Sequence, residues 1–66
     1  MANKLYHYCR NFGIFRNITE DRNVLKRAIQ IKAIEYGSDN GCVEEACQRE
    51  TIDKVVNLFL ERSAAA

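Results

Sequence analysis

Proline is absent from this chain of 66 residues, and glycine occurs only three times. With almost nothing to remove backbone donors or favour left-handed turns, helix meets little opposition along most of its length. No apolar run approaches the ~20 residues that a membrane-spanning helix needs. The opening MANKLYHYCRN lacks the apolar stretch of a signal peptide, so a cytoplasmic location is the expectation. Cysteine is sparse: Cys9, Cys42 and Cys47 leave one thiol unpaired under any intramolecular bridging, unlike a secreted disulfide scaffold. On a single helix Cys42 and Cys47 would point about 140° apart and could not bridge. Histidine occurs once, and on a helix His7 and Cys9 point about 200° apart. With no Cys-x-x-Cys pair either, no metal site is expected, and the thiols read as small apolar groups. There is no Gly-rich phosphate loop, no nucleophile with a base at helical spacing, and no carboxylate within helical reach of His7. No catalytic residue and no cofactor are therefore expected.

What is present is ordinary for a folded protein: 47% of residues are hydrophobic and 29% charged. A domain of this size buries only about 60% of the surface its unfolded chain exposes, and many such chains gain stability from a partner. One domain is expected over residues 1–63. Ala64, Ala65 and Ala66 carry no packing information and read as a disordered tail or a cloning remnant.

The apolar spacing predicts an all-α bundle of three to four short helices, at about 4–12, 20–36, 41–49 and 52–62. In the first, Leu5, Tyr8, Cys9 and Phe12 fall at i, i+3, i+4 and i+7. Tyr6, His7, Arg10 and Asn11 take the other side, Asn3 is positioned to cap the start, and Gly13 to end it. The second helix has Thr19 as its expected cap, Glu20 and Asp21 in its first turn, and Gly37 as its stop. Its apolar arc of about 160° holds Val24, Leu25, Ala28, Ile29, Ile31 and Tyr36, with Lys32 snorkelling out. Asn40 is expected to cap the third helix, with Glu44 and Glu45 in its first turn. One continuous helix over 42–62 would set Val43 and Ala46 opposite Ile52 and Phe59, so a break is expected, with Thr51 starting the last helix.

Two helices joined by a tight turn outline a helix-turn-helix, and Ala46 and Val56 suit its buried positions. Glu50, however, stands where the turn favours a left-handed glycine. From Ile52 to Arg62 the last helix carries no net charge, with Asp53 and Glu61 offset by Lys54 and Arg62. Its apolar arc of about 200° leaves little surface for a DNA groove. As a DNA-reading unit this stretch fails.

Charge is instead divided along the chain. Residues 1–33 carry seven Lys or Arg against two acids, whereas residues 34–66 carry three against seven. Two functions compete for that pattern. The first is a small non-enzymatic adaptor or regulator that self-associates or binds a protein partner. Val55, Leu58, Phe59 and Leu60 of the wide-arced last helix would form the contact, and charge complementarity would set its register. The alternative is a nucleic-acid-binding regulator using Arg10, Arg16, Arg22, Lys26 and Arg27 of the basic half.

Overall fold

Four helices carry the chain in the computed structural model, which describes residues 1–12, 15 and 21–65, with side chains as far as Arg62. They are α1 (Ala2–Arg10), α2 (Arg22–Asn40), α3 (Val43–Ala46) and α4 (Arg49–Ala65), with no strand among the described residues. The all-α expectation is met. The Cα radius of gyration is 10.8 Å, against about 11 Å for a folded chain of this length.

The helix boundaries moved, each for a local reason. α1 begins at Ala2 behind Met1, and no side chain caps it, so Asn3 lies inside the helix rather than before it. The expected cap Thr19 and stop Gly13 lie outside the described residues. At α2 the cap is Asp21, whose carboxylate accepts from the Asn23 and Val24 amides at 2.9 and 3.2 Å. That satisfies two of the donors orphaned at a helix start.

Gly37 is not a stop. α2 runs on to Asn40 and ends on Gly41, which takes the left-handed conformation at φ 68° and donates to the Gly37 carbonyl. Gly37 is buried because α3 crosses it. A Cβ there would fall onto the Val43 Cα and lie 2.8 Å from the Val43 nitrogen. Asn40, expected to cap α3, instead turns back and donates from Nδ2 to the Tyr36 carbonyl at 2.9 Å. α3 is a single turn with Glu44 and Glu45 at its start, as expected. The break before the last helix is real but falls at Cys47 and Gln48. α4 therefore starts at Arg49, and Thr51 is a buried residue of its first turn rather than its cap. The helix also extends to Ala65, so Ala64 and Ala65 continue it.

The core lies among α1, α2 and α4. Leu5 and Cys9 of α1, Leu25, Ile29 and Ala33 of α2, and Ile52, Val55, Val56 and Phe59 of α4 belong to one buried cluster, to which α3 adds Ala46. Phe15 stacks on Phe59 at 5.1 Å between centroids, and Tyr6 meets the same ring edge-on at 4.7 Å. Tyr6, expected on the polar side of α1, is thus buried. The wide arc of α4 needs cover on more than one side, and Tyr6 supplies it. Lys32 behaves as expected: its stem lies on the core side while Nζ sits 4.0 Å from the Phe12 ring centroid and 3.0 Å from Glu35.

Candidate interaction surface

The expected contact residues of the last helix are largely used up within one chain. Val55 is fully buried and Phe59 is 7% exposed, while Leu58 and Leu60 are half-buried and packed against the core. Leu58 and Leu60 keep part of their surface open, while Val55 and Phe59 do not. α1 and α2 flank α4 on both sides and cover most of it.

Among the described residues three of the five exposed large hydrophobics lie on α2, the others being Met1 and Val43. Val24, Ile31 and Ile34 are 46, 53 and 54% exposed, although the arc expected to face inward included Val24 and Ile31. The actual inner stripe is Leu25, Ile29, Ala33 and Gly37, at strict four-residue spacing. A row of every fourth residue drifts slowly around the helix, and it leaves the opposite side to a second row. Val24, Arg27, Ile31, Ile34 and Ser38 form that row, at alternating spacings of three and four residues. All five are exposed, and from Val24 to Ile34 the row runs about 15 Å along the helix. Beside it lies a shallow open depression lined by Asn23, Val24, Lys26, Arg27 and Gln30. Three branched aliphatics half-exposed on one helix face are unlike single apolar residues scattered over a surface.

The described basic residues of the alternative reading have different neighbours. Arg16 lies outside them. Arg22 reaches across to α4, where both terminal guanidinium nitrogens sit 3.4 Å from the Asn57 side-chain oxygen. One turn on, Lys26 pairs with Asp53 at 3.9 Å. Arg10 lies 6.0 Å from the Tyr6 ring centroid, and Arg62 stands 5.1 Å from the same ring. Arg27 projects outward in the middle of the apolar row.

Both ion pairs among the described residues, Lys26–Asp53 and Lys32–Glu35, join a cation from the first half of the sequence to an acid from the second. Part of the charge division is thus satisfied inside the molecule, at exposed positions where each pair contributes about 0–1 kcal/mol.

The thiols fall into three environments: Cys9 buried, Cys42 intermediate, Cys47 exposed. Burial pushes the Cys9 thiol up to about 12, against the partial relief of nearby Lys32. It is therefore a core side chain and no nucleophile near neutrality. Among the described residues no three His, Cys, Asp or Glu side chains gather at metal-binding distances, and no helix is long and apolar enough to cross a membrane. Compared with protein-family models, with curated proteins and with solved structures, the chain matches none.

Proposed function

We propose that this chain is a small protein–protein interaction module, an adaptor or regulator, and that it docks through the outer face of α2 rather than through α4. The observation that carries the reading is the exposure of Val24, Ile31 and Ile34 on a face of α2 that no other element covers among the described residues. Branched aliphatics held on a rigid helix lose little further conformational freedom on contact, and their burial is the main favourable term in association. The basic flank of α2 points toward α4, which leaves the outer face mainly apolar, with Arg27 as its one cation.

The test is sedimentation of labelled protein in buffer and in cell extract, comparing wild type with the Ile31→Glu, Ile34→Glu double variant. The expected outcome is an assembly heavier than the 7.6 kDa chain that disappears in the double variant while helicity and melting temperature are retained. The nucleic-acid alternative gives a different result. Mixed DNA or RNA would be bound at low salt by the wild type and released on changing Arg22, Lys26 and Arg27 to Gln, with no assembly depending on the isoleucines.

A further inference from the structure

The identity of the docking partner is open to argument from the same face, and this step rests on reading that face as a docking surface. We propose that the partner is a second copy of this chain. Its α2 lies antiparallel across the first, with Ile31 of each copy against Ile34 of the other.

The spacing of the row is the first reason. Alternating steps of three and four residues keep a stripe in register with a like helix, whereas the four-residue steps of the inner stripe do not. The second reason is charge. Arg27, the one cation on the outer face, falls in the first half of α2, which holds no acid, while Asp39 and Glu35 fall in the second, where Lys32 already pairs with Glu35. An antiparallel arrangement sets Arg27 of each copy alongside the acid-bearing half of the other, and it opposes the two helix dipoles. When Ile31 lies opposite Ile34, position 27 comes level with position 38. Arg27 then meets the small Ser38 of the second copy, next to its Asp39. A parallel arrangement would place Arg27 against Arg27 in one layer.

Two-fold symmetry follows, because each Ile31–Ile34 contact is repeated by its mirror pairing. Four isoleucines form the desolvated centre, and the contact closes on itself without leading to fibres. One helix face offers much less than the ~800 Å² per partner of a standard interface. The dimer is accordingly weak, and its population follows concentration.

Two measurements on purified protein test this. Sedimentation equilibrium up to millimolar concentration should show a monomer–dimer equilibrium. Ile31→Glu and Ile34→Glu should each weaken it by at least about tenfold, the equivalent of ~1.4 kcal/mol. Dilution of the wild type, followed by amide NMR, should move resonances of the α2 outer face and leave those of the core in place. That second measurement depends on no variant. Orientation is read by disulfide trapping in a Cys42→Ser, Cys47→Ser background, Cys9 being buried. Chains carrying Arg27→Cys should cross-link with chains carrying Ser38→Cys, and Ser38→Cys chains alone should not. Efficient cross-linking of Ser38→Cys with itself would overturn the antiparallel arrangement. A dimer indifferent to both isoleucines, or a strictly monomeric wild type, would overturn the second copy as partner. If the monomeric wild type still enters an isoleucine-dependent assembly in extract, the docking face stands with a different occupant. If it enters none, both readings fall together.

Discussion

At Gly37 the backbones of α2 and α3 come closer than a methyl group allows. Alanine is the better helix former by about 1 kcal/mol in a helix interior. Here its Cβ would lie 2.8 Å from the Val43 nitrogen and 3.1 Å from the Cys42 carbonyl carbon. Those are main-chain atoms, so no side chain can swing aside and α3 itself must move. Overpacking of this kind costs roughly 1–3 kcal/mol. Gly37→Ala should therefore lower the urea midpoint in spite of its better propensity, and a raised midpoint would show that α3 is not seated on α2. Gly41 is required for another reason. Nothing lies within 4 Å of a Cβ built there, but its φ of 68° is strained for most other residues. Two glycines four residues apart, one needed for space and the other for its dihedral angle, look alike in a sequence. Reading the first as the helix stop was a consequence.

At the scale of the element, the start of α2 depends on Asp21, and Asp21→Ala should cost about 1 kcal/mol through loss of the cap. Thr51→Ala removes no cap. Thr51→Val keeps the buried methyl and removes only the hydroxyl, so a loss of about 1 kcal/mol in thermal unfolding there would contradict the assignment of α4 as starting at Arg49. The existence and order of the four helices were legible because apolar spacing and the near absence of Pro and Gly agree. Which face of α2 turns inward was not. Val24 and Leu25 are adjacent, as are Ala33 and Ile34, so the helix carries apolar residues on both sides. The choice falls to the face where Ala33 and Gly37 permit close approach to neighbouring helices. Small residues weigh little in a hydrophobic pattern, although they decide packing. The α4 residues were legible as apolar, but their cover was not, because Tyr6 counts as polar-side by periodicity and as core by contact with Phe59. The docking row on α2 was visible as spacing in the sequence. Only the fold shows its residues exposed.

For the molecule as a whole, the buried Cys9 thiol ties stability to alkaline pH. Its folded pKa of about 12 stands above the ordinary 9.0, so the native state holds the proton where the unfolded chain releases it. Below pH ~9 both states are protonated and the full stability is present. As pH rises above that, unfolding is increasingly favoured by ionisation of the exposed thiol. Native stability should accordingly fall between pH 9 and 12, and Cys9→Ala should show a shallower slope over that range, whatever its stability at neutral pH. An equal slope in the two proteins would mean that the thiol already reaches water in the native fold.

The same burial equips the chain with a clock. An alkylating reagent modifies Cys47 at once and reaches Cys9 only when the helices part, so one sample holds a reporter and its own reference. The ratio of the two labelling rates gives the fraction of time the core stands open, in native buffer and with no denaturant. Followed against protein concentration, it also shows whether assembly slows that opening, because whatever binds only the closed form must lengthen the wait at Cys9.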